Sequence, residues 1–357
     1  MLEYELMIIL ELWEIYMRQI IAGSTTYIDR HNERMTLQAL ESMACRINSD
    51  RKPILTIEHD VTLPPIGKLL KAWVEPTEDG EHRLLIEQET FEKEEQIVLP
   101  DGSHGLMRQS DTDRSPFVKR VVDIPPILDI TADLANFASL DDYQALLDEI
   151  RSASSLPFEN SEMGRKALIV DPEIIITLSK EIIAYLVASK IIDKFSSKII
   201  DKVGDKLSDD LADFYTWVRS IAFKYAKYAI PKNRPITYIF NIPINPQVEL
   251  VIRTNDSSDV AASIMVDNLE EPLKLAIACR DKLGAERVQF LLNKAGEWKL
   301  NYMLTDKGQV IGTKKSFTRK ARQFDLTPPP SIIGINKGTL NLLKQPTKNI
   351  GNKRRKK

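Results

Sequence analysis

The sequence predicts an α+β protein with at least two domains. Its 357 residues exceed what a single hydrophobic core usually organises. Hydrophobic residues make up 43% and charged residues 28% of the chain, a balance typical of a sequence that folds. Some stretches alternate apolar and polar residues with the period of a strand, whereas others repeat them with the period of a helix. These three observations together favour a mixture of helices and strands.

Residues 1–150 are predicted to form a mostly β domain with short helices. The segments rich in β-branched and aromatic residues predict strands, and those with one apolar face predict helices. The predicted strands are 18–28, 53–58, 66–74 and 82–91, and the predicted helices are 36–47 and 141–150. The turn sequence PTEDG at 76–80 joins the last two strands. Residues 99–115 are polar and aperiodic, which predicts a loop.

Residues 151–170 predict a linker, because they are rich in polar residues and have no periodicity. A second domain, 171–321, follows, with a long amphipathic helical stretch at 175–207. Its remaining pattern is one helix and then a β-β-α-β-β-β unit. The predicted elements are helix 210–230, strands 236–242 and 248–254, helix 259–283, and strands 287–292, 298–304 and 309–313. Residues 322–357 predict a disordered basic tail.

Composition argues against several classes of site. The formal net charge is −2, and the two cysteines and four histidines show no metal-binding spacing. No glycine-rich phosphate loop is present, so neither a cofactor nor a metal is predicted. The few cysteines favour a reducing, cytoplasmic location, and glutamates interrupt the apolar N-terminal stretch, so no membrane span is expected. The terminal NKRRKK is predicted either to be solvated or to contact nucleic acid or another acidic surface.

The most informative stretch is 20–75, which runs IIAGSTTYIDRHNERMTLQALESMACRI and then PILTIEHDVTLPPIGKLLKAWVE. It resembles the tailed-phage prohead (capsid-maturation) serine proteases, a family that shares the herpesvirus assemblin fold. The resemblance rests on Asp29 after the first strand, on His59-Asp60 at the end of a later strand, and on Pro65-Ile66-Gly67. It implies that His59 is the catalytic base, whereas Asp60 is expected to be a turn residue. The C-terminal half resembles no family that we recognise.

The same resemblance implies a serine endopeptidase, active or inactive, of phage or prophage origin, acting on a protein substrate. The family's serine nucleophile lies on a later strand, and the matching region here offers Ser103, Ser110 and Ser115. Thr131 stands where the closing strand would carry a serine. His104 follows Ser103, but neighbouring side chains in an extended segment diverge, so His104 is not expected to be its base. Backbone amides would stabilise the oxyanion.

A second interpretation is a non-catalytic binding or regulatory protein with a protein partner. In this case the protease-like segment is a degenerate scaffold, and residues 171–321 carry the function, for example in a bacterial conflict system. No candidate serine occupies a recognisable nucleophile motif, and a maturation protease has no need of such a C-terminal unit. Both facts favour the second interpretation slightly. The peptidase and the binding protein are distinguished by which groups lie within hydrogen-bond distance of the His59 imidazole.

Overall fold

The computed structural model describes residues 18–28, 34–56, 60–91, 93–119, 123–153, 156–163, 171–186 and 207–319. These residues form both helices and sheets, so the predicted α+β class is confirmed. They divide into two compact units. The smaller unit contains 18–48 and 69–89, and the larger unit contains 49–68 and the described residues from 90 to 319.

Fourteen strands, seven α-helical segments and one short 3-10 helix, Leu134–Asn136, are described in this part of the chain. The strands are β1 Arg18–Thr25, β2 Ile54–Leu55, β3 Gly67–Pro76, β4 His82–Thr90, β5 Glu94–Val98, β6 His104–Gln109, β7 Leu128–Asp133, β8 Phe158–Met163, β9 Glu173–Thr177, β10 Ile236–Ile242, β11 Gln247–Thr254, β12 Ala285–Leu292, β13 Trp298–Thr305 and β14 Gln309–Thr313. The helices are α1 Leu37–Ile47, α2 Leu140–Ala153, α3 Lys180–Leu186, α4 Leu207–Tyr228, α5 Ser258–Ser263 and α6 Val266–Leu283. A further helical turn covers 314–319.

The smaller unit packs α1 against antiparallel strands β1, β4 and β3. The hydroxyl of Thr36 accepts a hydrogen bond of 3.1 Å from the Ala39 amide, which caps the start of α1. The buried residues of α1 recur every three or four positions and meet apolar residues of β3 and β4; they are Leu40, Ala44 and Ile47 against Ala72, Leu84 and Ile86. The strands and the helix predicted here are confirmed, with small differences at their ends.

The larger unit is built on one ten-stranded mixed sheet in the order β5-β6-β14-β13-β12-β11-β10-β9-β7-β8. Strands β9 and β10 are parallel, as are β11 and β12, and helices connect each pair because parallel neighbours need a crossover. Over 236–313 the structure has two strands, two helices and three strands, since the helix predicted at 259–283 is interrupted at Ile264 and Met265, between α5 and α6. Gly284 ends α6 at a φ of 66°, which disfavours a residue with a Cβ.

Two stretches predicted to lack regular structure contain strands of this sheet. Residues 104–109 of the predicted loop 99–115 form β6, which pairs with β5 and β14. Residues 158–163 of the predicted linker 151–170 form β8, which pairs with β7. The boundary between 1–150 and 171–321 is therefore corrected, since strands from both sides complete one sheet. The reason is that β6 finds its partner β14 about 200 positions later, which no local period reveals.

The amphipathic stretch 175–207 also needs correction in its described part. Residues 173–177 form β9, a strand buried on both faces, and a helix starts only at Lys180. A strand covered on both sides is apolar throughout, so its isoleucines resemble the start of a buried helix. The residues from 187 to 206, like the predicted tail 322–357, lie outside the described residues. The following helix, predicted at 210–230, is confirmed as α4.

The main core lies between this sheet and helices α2, α4 and α6. Trp217 and Tyr225 of α4 are fully buried, as expected for core aromatics, whereas Phe223 is 69% exposed. The hydroxyl of Tyr225 donates to the Glu173 carbonyl at 2.7 Å, so its polar end is satisfied inside the core. No helix in the described ranges has the length and apolarity needed to cross a bilayer.

Candidate functional site

Two of the candidate serines belong to a loop that is held by a buried lysine. Lys68 is 0% exposed, and its Nζ donates to the carbonyls of Asp113 at 2.8 Å and Ser115 at 2.7 Å. The Ser110 hydroxyl accepts hydrogen bonds from the amides of Thr112 at 3.1 Å and Asp113 at 2.7 Å. These contacts close the turn that surrounds the lysine. Both serines therefore have structural roles in this loop.

The contacts of this loop also account for the glycine at position 308 and for the ionised state of the Asp113 carboxyl. A Cβ on Gly308, which has a φ of 66°, would collide with Lys68 Nζ and the Ser115 carbonyl. Burial raises the pKa of the Asp113 carboxyl, but hydrogen bonds from Ser115 and the charge of Lys68 outweigh it, so that the pKa falls below its ordinary value. The carboxylate is thus held ionised beside the buried ammonium group, at 3.3 Å.

The other candidate hydroxyls donate to carboxylates. Ser103 lies in the exposed turn between β5 and β6, and its Oγ donates to Asp101 Oδ1 at 2.7 Å. The same carboxylate accepts from the Ser103 amide at 3.0 Å, as in an ordinary Asx turn. Thr131 on β7 donates to Asp129 Oδ2 at 3.0 Å. His104 is exposed at the start of β6.

His59, the predicted general base, lies outside the described residues, as does Asp29. Its role stays a prediction. Asp60, the next residue, is described, and its Oδ1 accepts from the Thr62 amide at 2.9 Å and from the Thr62 hydroxyl at 2.7 Å. The prediction that Asp60 is a turn residue is therefore confirmed.

A row of buried polar side chains crosses one face of the ten-stranded sheet. Asn241, Glu249, Gln289 and Tyr302 are register partners on β10, β11, β12 and β13, and each is at most 2% exposed. Gln289 Nε2 donates to Glu249 Oε2 at 2.9 Å, and Asn301 Nδ2 donates to Gln289 Oε1 at 2.6 Å. Burial of such groups costs free energy unless they are paired, so the row needs a partner layer.

That layer is the segment 60–63, which we call the strap. The Val61 carbonyl accepts from Gln289 Nε2 at 2.9 Å and from the Tyr302 hydroxyl at 3.2 Å. The Thr62 carbonyl accepts from Asn301 Nδ2 at 2.8 Å and from Arg319. Burial is the main cause that lowers the pKa of Arg319, against the opposing charge of Asp60. The strap is thus fixed on the polar row by its own backbone.

An opening with polar walls lies at the carboxyl ends of β11 and β12. The cavity has a volume of about 480 Å³. Ends of neighbouring parallel strands are where open α/β sheets usually bind ligands. The lining residues come from the two strand ends, from α5 and α6, and from the turn after β12; they are Ile252, Arg253, Thr254, Asp259, Ala262, Ser263, Asn268, Leu292, Asn293, Lys294 and Gly296. The walls therefore combine both signs of charge with hydroxyl and amide groups.

Arg253 connects the cavity to the strap. Its Nη2 lies 2.5 Å from Asp171 Oδ2, and its Nη1 lies 3.6 Å from Asp60 Oδ2. Asp171 also pairs with Arg234, at 2.6 Å. The Arg253 side chain is 37% exposed, so each pair contributes little to stability but fixes the orientation of the guanidinium.

The described residues hold no cluster of His, Cys, Asp and Glu that could bind a metal ion. Cys45 is exposed on α1, whereas Cys279 is buried in α6, where burial raises the pKa of its thiol to about 12. A thiol with so high a pKa is not a nucleophile at neutral pH. No protein-family model, curated protein or solved structure matches the chain.

The polar row and the cavity are absent from the sequence prediction. The strands that carry them were predicted, and polar residues at alternate positions, Gln247 with Glu249 and Arg287 with Gln289, were available as a signal. Alternation of this kind ordinarily indicates a solvent-facing side. Here the strap and the helical turn 314–319 cover that side, so the same pattern marks a buried network.

Proposed function

We propose that this protein is a non-catalytic binding protein whose larger unit takes up a small polar molecule at the carboxyl ends of β11 and β12. The observation that carries the proposal is the cavity of about 480 Å³ at this edge. Its volume falls within the range of roughly 300–1,000 Å³ that is usual for small-molecule sites.

The lining indicates what kind of molecule fits. Lys294 supplies positive charge, Arg253 lines the same space with its guanidinium paired to Asp171 and Asp60, and Asp259 adds a negative charge. Ile252 and Leu292 offer apolar surface of limited extent. A ligand that carries an anionic group together with hydrogen-bonding groups matches these walls, whereas a large apolar ligand does not.

Calorimetric titration with a panel of nucleotides, sugar phosphates and amino acids tests this proposal. We expect at least one member to bind, and Lys294→Ala to weaken its binding roughly tenfold or more, because a hydrogen bond to a charged group contributes about 1.5–3 kcal/mol. Lys299→Ala is the matched control, since Lys299 is 62% exposed on β13 and does not line the cavity. Binding by no panel member, or equal affinity of both variants, contradicts the proposal.

The serine endopeptidase remains the competing proposal, supported by the resemblance around His59-Asp60 and Pro65-Ile66-Gly67. On the non-catalytic proposal we expect no labelling of the protein by a fluorophosphonate probe, because the hydroxyls of Ser103 and Ser110 take part in turn hydrogen bonds and the side chain of Ser115 hydrogen-bonds to the Asp113 carboxylate. In-gel fluorescence of the labelled protein measures this. Labelling of the wild type that is lost in His59→Ala would instead support the peptidase.

A further inference from the structure

We propose that the molecule bound in the cavity at the carboxyl ends of β11 and β12 is a free amino acid, whose ammonium group pairs with Asp259 and whose carboxylate pairs with Lys294. This inference rests on the proposed function and goes beyond it by naming the class of ligand. Both side chains line the cavity, and its volume of about 480 Å³ gives an amino acid room between its walls.

Asp259 and Lys294 differ from the third charged residue of the lining in having no partner within the described part of the chain. Neither side chain forms a hydrogen bond or an ion pair with another residue of the described ranges. The guanidinium of Arg253, in contrast, is already countered by Asp171 and Asp60. An unpaired carboxylate and an unpaired ammonium group in one cavity are complementary to a ligand that carries one charge of each sign.

The two walls that carry these charges are tied to each other. Asp259 lies on α5, and Lys294 lies in the turn between β12 and β13. The Asn293 side chain closes this turn by accepting from two backbone amides, at 2.8 and 3.0 Å. The indole of Trp298, at the start of β13, donates to the Ser263 carbonyl at the end of α5, at 3.2 Å. The carboxylate and the ammonium group therefore extend from fixed backbone positions, which lowers the ordering cost of binding.

The rest of the lining favours an amino acid over a nucleotide or a sugar phosphate. A Cβ on Gly296 would meet no atom within 4 Å, so the space beside the turn is open. Ile252 and Leu292 supply apolar surface for part of a side chain. A nucleotide or sugar phosphate brings a multiply charged anion, whereas the unpaired charges of the lining, Asp259 and Lys294, sum to zero.

Calorimetric titration of the full chain with the standard amino acids tests the inference, followed by titration with the N-acetyl form of any amino acid that binds. N-acetylation removes the positive charge and keeps the carboxylate. We expect at least one amino acid to bind, and its N-acetyl form to bind roughly tenfold or more weakly, because the acetylated nitrogen cannot form a charged pair with Asp259.

Two variants assign the two charges of the ligand. Asp259→Asn should bind the free and the N-acetyl forms with nearly equal affinity, because the variant has lost the carboxylate that distinguishes them. Lys294→Ala should weaken the binding of both forms, since both keep the carboxylate. Asp281→Asn is the matched control and should keep the wild-type preference, because Asp281 is 53% exposed on α6 and does not line the cavity.

Failure of this inference is distinguishable from failure of the proposed function. If a nucleotide or sugar phosphate binds in a manner that depends on Lys294 and no amino acid binds, the inference is overturned and the proposed function stands. The same holds if the N-acetyl form binds as tightly as the free amino acid, or if Asp259→Asn keeps the wild-type preference. Binding by no amino acid, nucleotide or sugar phosphate contradicts both.

Discussion

Replacement of Lys68 by Met is expected to lower the free energy of unfolding by about 3–5 kcal/mol, the usual cost of removing one partner from a buried charged network. Methionine fills a similar volume but donates no hydrogen bond. The carbonyls of Asp113 and Ser115 would lose their donor, and the Asp113 carboxylate would lose its counter-charge at 3.3 Å. Urea unfolding followed by circular dichroism measures the change. The comparison holds if the slope of the unfolding free energy against urea concentration is the same in both proteins.

Lys71→Met is the control for this prediction, because Lys71 lies on the same strand with an exposed side chain. A loss below about 1 kcal/mol in Lys68→Met, comparable to that of a surface substitution, contradicts a clamping role.

The contribution of Asp113 to this clamp depends on pH. Its pKa is lowered in the folded state, so its stabilisation is fully present above its unfolded pKa of about 3.9 and is lost as the pH falls through the folded value. The difference in stability between the wild type and Asp113→Asn should therefore be constant near neutral pH and shrink below roughly pH 4.

Replacement of Glu249 by Leu is the second change with a large expected effect, again about 3–5 kcal/mol of unfolding free energy. Glu249 is 1% exposed, and its carboxylate lies 3.6 Å from Arg287 and accepts from Gln289 at 2.9 Å. Without it, the buried guanidinium loses the counter-charge that the described residues give it, and Gln289 loses an acceptor. Urea unfolding of the variant beside the wild type measures the loss.

The double variant Glu249→Leu with Arg287→Leu distinguishes a charge effect from a packing effect. Removal of both charges should restore much of the lost stability, since a buried ion pair replaced by apolar residues is often neutral or better. If the double variant instead loses as much stability as the two single variants added together, Glu249 and Arg287 are not coupled. Glu249→Gln, which keeps an acceptor for Gln289, should lie between the wild type and Glu249→Leu.

The motif that suggested a peptidase has a structural explanation in its described part. The Asp60 carboxylate closes a turn, and the Val61 and Thr62 carbonyls accept hydrogen bonds from the polar row. The Ile66 amide then donates to the Leu55 carbonyl at 2.8 Å, and the Ile66 carbonyl accepts from Phe91 at the same distance. These contacts attach the segment to the larger unit. A prohead-protease-like order of residues is thus compatible with a scaffold as well as with an active site.

The sequence by itself determined the elements whose stabilisation is local. Helix α1 was predicted because apolar residues recur on one face within the twelve residues 36–47, and α4 because a helical stretch at 210–230 is ended by Pro231. Strands β10 to β14 were predicted because turn residues separate them from their sequence neighbours. For α1 and for the hairpins β10-β11, β12-β13 and β13-β14, groups that stabilise the element are close together in the chain.

Only the tertiary structure decided which of these elements share a sheet and which polar residues are buried. Strands β6 and β8 are short, and the first depends on a partner far along the chain. The strap, the polar row and the cavity join segments from residue 60 to residue 319. The polarity of Glu249 or Arg287 predicts exposure, because a side chain's own chemistry does not report which distant segment will cover it. Burial is a property of the assembled fold, and the candidate sites exist only where distant segments meet.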